Sequence, residues 1–153
     1  MKFFFSLENL VPIREKETQE IQKKLMETED KIQKMKDMLH RERDFYFDDR
    51  EKRNENSKLG KIENIKIFDD SLKIRQTRMM QLLEILHDIE KEKKHLERSL
   101  TQAKKNEKIL STLKNKKFEE YQKEEEKKEQ KNLEENALYK ILRQEWEDKN
   151  EKD

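Results

Sequence analysis

The chain has 153 residues, of which 31% are hydrophobic and 48% charged, with one Gly, one Pro and no Cys. Typical domains have roughly 45–50% apolar and about 25% charged residues, so this composition excludes a globule with a large core. The 37 cationic and 36 anionic side chains are interspersed. A nucleic-acid surface needs clustered, uncompensated cations, so we expect no nucleic-acid partner.

The first predicted helix covers residues 6 to about 53. It starts either near Ser6, a good N-cap residue, or at Pro12, which a first helical turn tolerates. We favour the start near Ser6, with a kink at Pro12. Its apolar and polar residues follow an alternating spacing of four and three, which is typical of a coiled-coil seam. The predicted seam is Val11, Arg14, Thr18, Ile21, Leu25, Thr28, Ile32, Met35, Leu39, Glu42 and Tyr46.

Residues 54–60 form the predicted bend. They contain two Asn, one Ser and Gly60, the only Gly of the chain. Asn and Ser compete with the helix for backbone hydrogen bonds, and Gly reaches positive φ without a Cβ penalty. A helix can therefore stop and reverse its direction here.

The second predicted helix covers residues 61 to about 148 and has the more regular seam. Its heptad positions are Ile65, Phe68, Leu72, Arg75, Met79, Leu82, Leu86, Ile89, Lys93, Leu96, Leu100, Ala103, Glu107 and Leu110. A reversal centred on residue 57 sets these positions against the first seam. It makes Tyr46 level with Phe68, and Met35 level with Met79. Apolar residues then face apolar residues in most layers, as in an antiparallel coiled coil.

Beyond Leu110 the second helix has no partner strand in this register, because Phe4 is then level with Leu110. The predicted fold class is therefore all-α: a long two-helix antiparallel coiled-coil hairpin, in one elongated domain, with an overhanging second helix. Residues 122–132 contain no apolar side chain, and a last apolar group follows: Leu133, Ala137, Leu138, Ile141, Leu142 and Trp146. Since a two-helix hairpin is marginally stable by itself, we expect a partner.

The residues for catalysis and metal binding are not arranged as a site. His87 and His95 are eight residues apart, about 12 Å along a helix, which is too far to share a metal ion. The carboxylates are predicted on exposed helices, where no pocket shifts their pKa values. We expect no enzyme activity, no cofactor, no small-molecule ligand and no membrane-spanning segment.

Three stretches of the chain resemble the flagellar FliJ family. The N-terminal run 5–17, FSLENLVPIREKE, is similar to the Phe-x-Leu-x-x-Leu-Leu start and the Arg-Glu pair of that family. The segment around Gly60, through Asn64, Phe68 and Leu72, resembles its turn. Residues 113–135 resemble its Leu-x-x-Lys, Tyr and Glu-Gln-Lys pattern. The resemblance covers residues 3 to about 137.

The resemblance implies a cytoplasmic component of the flagellar type III export apparatus, peripheral at the inner face of the membrane through its partners. Such proteins look like the stalk of rotary ATP synthases. The partners implied are the hexameric export ATPase, the export gate membrane protein and export chaperones. An injectisome counterpart stays open, as does a generic coiled-coil scaffold that forms a parallel dimer.

The resemblance also implies where the partners bind. The gate-binding spacing of the family falls on Met35, Leu39, Glu42 and Tyr46 in the first helix and on Phe68, Leu72, Arg75 and Met79 in the second. The heptad places the same residues in the seam, so burial there is the competing interpretation. Phe45 and Phe47 flank Tyr46 and cannot both face inward with it, so they are added to the gate surface.

By analogy with a stalk in a ring, the ATPase contact is expected at the joined ends, residues 3–14 and 110–121. The residues expected to carry it are Phe5, Leu7, Leu10, Leu113, Phe118 and Tyr121. The last apolar group, represented by Leu138, Leu142 and Trp146, is predicted to bind a partner that the sequence does not identify.

Overall fold

The computed structural model describes residues 2–151 as two α-helices with no strand among them. Helix α1 is Leu10–Lys58, with 49 residues, and helix α2 is Ile62–Glu151, with 90 residues. They pack as the predicted all-α antiparallel hairpin. Neither helix has an apolar stretch that would cross a membrane within the described residues.

The chain divides into two compact units, which are described separately below. The hairpin unit is Glu15–Lys104, and it contains the bend. The terminal unit is Met1–Arg14 with Lys105–Asp153. The prediction of a single domain over residues 1–153 stays a prediction.

Helix α1 begins at Leu10 and not near Ser6 as favoured above. Residues 6–9 form a turn, in which the Glu8 amide donates to the Phe5 carbonyl at 3.1 Å. The position of Pro12 explains this start. In a helix from Ser6, the Pro12 ring would clash with the carbonyl four residues earlier, whereas from Leu10 it lies in the tolerant first turn.

The bend is also shorter than predicted, because α1 continues through Lys58. Gly60 has φ 72°, and two backbone bonds close the helix. The Lys61 amide donates to the Asn56 carbonyl at 3.1 Å, and the Gly60 amide donates to the Ser57 carbonyl at 3.2 Å. This pair of bonds is the Schellman motif. Asn and Ser cost a helix only a fraction of a kcal/mol each, so they do not end it before Gly60 does.

The predicted seam is confirmed along the hairpin unit. Each predicted seam residue between 15 and 104 is buried or half-buried, while most other positions are exposed. Thr28 is 4% exposed, and its hydroxyl donates to the Lys24 carbonyl at 2.8 Å, so the polar group is satisfied. The seam also continues past Tyr46 into three polar residues that the prediction left out: Asp49, Arg53 and Asn56.

The predicted register of the two helices is wrong by one heptad. Asn64 donates to Asn56, Gln76 donates to Tyr46, and Lys93 lies 3.9 Å from Glu29, so the residue numbers of these pairs add up to 120 or 122. The predicted register required 114. It placed the reversal at residue 57, whereas the bend lies at 59–61. Tyr46 is therefore level with Gln76 and not with Phe68.

In the terminal unit, residues 2–9 lie beside the first turns of its α2 segment. Phe5 and Leu110 are buried, at 6% and 8% exposure. Phe3 contacts Phe118, so Phe4 is not level with Leu110 and the pairing extends further than predicted. All described residues from 126 to 151 are exposed, so within the described chain this length of α2 has no helix packed against it.

Candidate interaction surfaces

A charged cluster interrupts the apolar seam of the hairpin unit near the bend. The Arg75 guanidinium donates to the carboxylate of Asp49 at 2.7 Å and to that of Glu42 at 3.2 Å. The Ser71 hydroxyl also donates to Asp49, at 2.7 Å, and Arg53 pairs with Asp69. The Arg75, Asp49 and Glu42 side chains are 22%, 14% and 20% exposed. The cluster therefore satisfies its charges between the helices rather than in bulk water.

These contacts change the acidity of two groups. The hydrogen bond from Arg75, followed by that from Ser71, holds the pKa of Asp49 below its ordinary value. The bond to Asp49 raises the pKa of Arg75. Both shifts favour the charged forms, so Asp49 and Arg75 form an ion pair at neutral pH.

Exposed aromatic side chains flank this cluster. Phe45 is 53% exposed, and the Arg75 guanidinium lies 4.9 Å from its ring centroid. Phe47 is 48% exposed and meets the Tyr46 ring edge to face, at 5.7 Å between centroids. Aromatic surface of this extent on a helix pair is typical of an interaction site.

An open groove of about 580 Å³ lies beside Phe45. Its apolar lining includes Met38 and Ile85, which are 42% and 44% exposed. The cationic side chains of Arg41 and Arg78 also line it. The heptad pattern does not identify these four residues, because they lie off the seam. The only indication of the groove in the sequence is that Met38 and Ile85 are apolar residues outside the a and d positions.

The other predicted gate residues lie in the seam itself. The structure places Met35, Leu39, Glu42, Tyr46, Phe68, Leu72, Arg75 and Met79 half-buried between the helices. The hairpin therefore uses them for its own packing, as the competing interpretation stated. Phe45 and Phe47 are more exposed than these seam residues, so a partner could contact them without opening the seam.

An aromatic cluster joins the two parts of the terminal unit. The Phe3 ring lies 5.1 Å from that of Phe118 and 5.5 Å from that of Tyr121, between centroids. Lys114 binds the Glu8 carboxylate, with its Nζ 2.8 Å from Oε2. This unit thus brings together the predicted ATPase-end residues of the N-terminus and of α2.

The predicted ATPase-end residues differ in exposure. Phe5 is buried, and Leu10, Leu113 and Tyr121 are half-buried. Leu7 and Phe118 are 36% and 41% exposed, and Phe4, which the prediction did not single out, is 83% exposed. Near the N-terminal segment, Phe4, Leu7 and Phe118 are therefore exposed, whereas the other predicted ATPase-end residues are at least half-buried.

The apolar group near the end of α2 is exposed to solvent. Leu138, Leu142 and Trp146 are 57%, 56% and 66% exposed. Tyr139, Leu142, Arg143 and Trp146 line a shallow groove of about 450 Å³. Among the described residues, no group of three or more His, Cys, Asp or Glu side chains could hold a metal ion.

Comparison with protein families settles the relationship. The family model described as "Flagellar FliJ protein" matches residues 2–145, which is nearly the whole chain. The chain belongs to the FliJ family. It is thus a flagellar export-related protein of a non-enzymatic family. No curated protein and no solved structure matches the chain.

The FliJ match extends over residues of both units. It includes the bend, the charged cluster and the aromatic cluster of the terminal unit. It ends at residue 145, one position before Trp146. Leu138 and Leu142 therefore lie inside the matched range, and Trp146 lies just outside it.

Proposed function

We propose that this FliJ-family chain is a cytoplasmic stalk and adaptor of type III export, which links the export ATPase to the export gate and to export chaperones. The family match over residues 2–145 carries the proposal. Stalk and adaptor roles require at least two separate contact surfaces. The exposed aromatics of the hairpin unit and those of the terminal unit are candidates for the two.

The export gate contact is assigned to Phe45, Phe47 and the adjoining groove. Support comes from exposure, since Phe45 and Phe47 are 53% and 48% exposed while their seam neighbours are half-buried. A partner would cover these rings without separating α1 from α2. A contact through Leu39 or Leu72 would instead require the seam to open.

The ATPase contact is assigned to Phe4, Leu7 and Phe118 in the terminal unit. Phe118 contacts Phe3, which also contacts Tyr121, and these ring contacts fix the N-terminal segment on α2. Anchoring a short segment before binding lowers the entropy lost on association. The N-terminal segment is therefore pre-organised for binding.

The double change Phe45→Ser and Phe47→Ser tests the gate assignment. We expect it to weaken binding to the cytoplasmic part of the gate protein at least tenfold while helicity stays nearly unchanged, because exposed rings contribute little to the fold. Met26→Ser with Met80→Ser is the matched control, since both side chains are exposed, at 68% and 66%. Undiminished gate binding by the double Phe variant would place the contact elsewhere.

The generic scaffold is the second candidate function, and its parallel dimer is contradicted by the antiparallel hairpin within one chain. A pull-down from cells that assemble flagella separates the remaining possibilities. Recovery of the export ATPase or the gate protein supports the export role. A pull-down that retains neither of them would leave the scaffold as the better description.

A further inference from the structure

The last apolar group of α2 forms one continuous face of the helix. At 3.6 residues per turn, Leu138, Tyr139, Ile141, Leu142 and Trp146 fall within an arc of roughly 160°. All five are more than half exposed, with values from 55% to 69%. The opposite side carries polar residues such as Lys140 and Glu147. A face of this size is normally covered in a soluble protein.

We propose that this face is covered by the same face of a second copy of the chain, in an antiparallel, two-fold symmetric contact centred on Leu142. In such a contact, each side chain meets the residue equally far on the other side of Leu142. Leu138 then meets the partner's Trp146, and Leu142 meets its own counterpart.

The charges of this segment fit the antiparallel arrangement. Glu135 and Lys149 lie on the same arc as Leu138 and Leu142, and they are level with each other across the two-fold axis. The contact therefore contains this ion pair twice. Between residues 134 and 150, no charged residue is level with a residue of the same charge on the partner chain. Tyr139 becomes level with Glu145, whose carboxylate accepts a hydrogen bond from a phenol.

A parallel contact does not fit the same charges. Each residue would then be level with its own counterpart, which sets Glu135 against Glu135, Glu145 against Glu145 and Lys149 against Lys149. Like charges that face each other across an interface disfavour the pairing. The sequence thus selects the antiparallel orientation through its charges, while the apolar face supplies the attraction.

Single cysteines in the 153-residue chain, which has no Cys of its own, give the most direct test. Leu142→Cys lies on the proposed axis and should form disulfide dimers with itself under mild oxidation. Leu138→Cys should link poorly to itself, because the two copies are eight residues apart, about 12 Å along the helix. A mixture of Leu138→Cys and Trp146→Cys chains should link well. Lys140→Cys, on the polar side, is the control: its cysteines face away from the contact, so it should form no disulfide dimer.

Charge exchange gives an independent test by sedimentation equilibrium. We expect a weak dimer for the natural chain, as is usual for an interface of this size. Glu135→Lys should raise the dissociation constant about tenfold, because two ion pairs become repulsions. Adding Lys149→Glu to Glu135→Lys should return the dissociation constant to that of the natural chain, because the two ion pairs form again with their charges exchanged. The single Trp of the chain reports the same event, since the emission of Trp146 should shift to the blue as the concentration rises.

Two outcomes would overturn the proposal. One is a monomer at all concentrations up to several hundred micromolar together with no self-linking by Leu142→Cys, which would leave the face to a different protein. The other is equal self-linking by Leu138→Cys and Leu142→Cys, which would mean a parallel contact. Neither outcome affects the assignment of the gate and ATPase surfaces, because these lie on other residues.

Discussion

Replacing Arg75 by Leu is the sharpest test of the charged cluster in the seam. The change leaves the carboxylates of Asp49 and Glu42, 14% and 20% exposed, without their common cation. Breaking a fully buried ion pair costs roughly 3–5 kcal/mol. Water is close to this two-helix seam on both sides, so we expect a smaller loss of about 1–2 kcal/mol in the free energy of unfolding.

Urea denaturation followed by far-UV circular dichroism measures this loss, provided that the dependence on urea is the same for both proteins. A change in the free energy of unfolding below about 0.3 kcal/mol would refute the reasoning, because it would mean that the cluster is fully solvated. The combined change of Glu42, Asp49 and Arg75 to Leu is the informative control. This triple variant removes all three charges together, so its free energy of unfolding should equal or exceed that of the natural chain.

The same cluster predicts how stability depends on pH. Because the pKa of Asp49 is lowered in the folded chain, its contribution is fully present above its ordinary pKa, near 4. That contribution is lost as the pH falls from there through the lower folded-state value. The Asp49→Asn variant should therefore lose less stability than the natural chain between pH 5 and pH 2 in the same urea assay, and equal losses would contradict the account.

Three further predictions concern the bend, the register and the terminal unit. Gly60→Ala should lower the free energy of unfolding by about 1 kcal/mol, because φ 72° strains a residue with a Cβ; an unchanged urea midpoint would contradict this. Met35 is level with Leu86 in the observed register and with Met79 in the predicted one. A short bismaleimide should therefore join Cys at Met35 and Leu86 more efficiently than Cys at Met35 and Met79. More efficient linking of Met35 to Met79 would instead support the predicted register. Phe5→Ala should speed proteolysis within residues 2–9, since it empties a buried site, and an unchanged cleavage rate would show that Phe5 does not hold this segment.

The fold was predictable because the heptad is regular. Apolar periodicity identified the seam, and the structure buries or half-buries each predicted seam residue that lies in the hairpin unit. The position of Gly60 predicted a bend, but Asn54, Asn56 and Ser57 were given too much weight as helix breakers. A Schellman motif needs only the Gly at its C′ position, and the preceding residues can stay helical.

The register was not predictable from apolar residues alone. A shift of one heptad exchanges one set of apolar layers for another, so both registers bury similar side chains. Polar residues decide between them. In the predicted register Arg53 would be level with Lys61, whereas in the structure it pairs with Asp69. Treating Asp49, Arg53 and Arg75 as seam residues with opposite charges would have found the observed register.

The candidate surfaces were predictable only in part. Phe45 and Phe47 stood out because three consecutive aromatics cannot all face one seam. Met38 and Ile85 did not, since exposed single apolar residues are common and nothing in the sequence shows that these two share a groove with Phe45. The spatial pairing depends on the register, and the predicted register was wrong by one heptad.

The central claim, that this FliJ-family chain joins two parts of the export apparatus, is tested by a bridging experiment. Immobilised export ATPase is incubated with the purified cytoplasmic part of the export gate protein, with and without the chain. The account predicts that the gate protein is retained only when the chain is present, and that Phe45→Ser with Phe47→Ser abolishes its retention while the chain itself stays bound. Competition between the ATPase and the gate protein for the chain would contradict the claim, as would retention of neither.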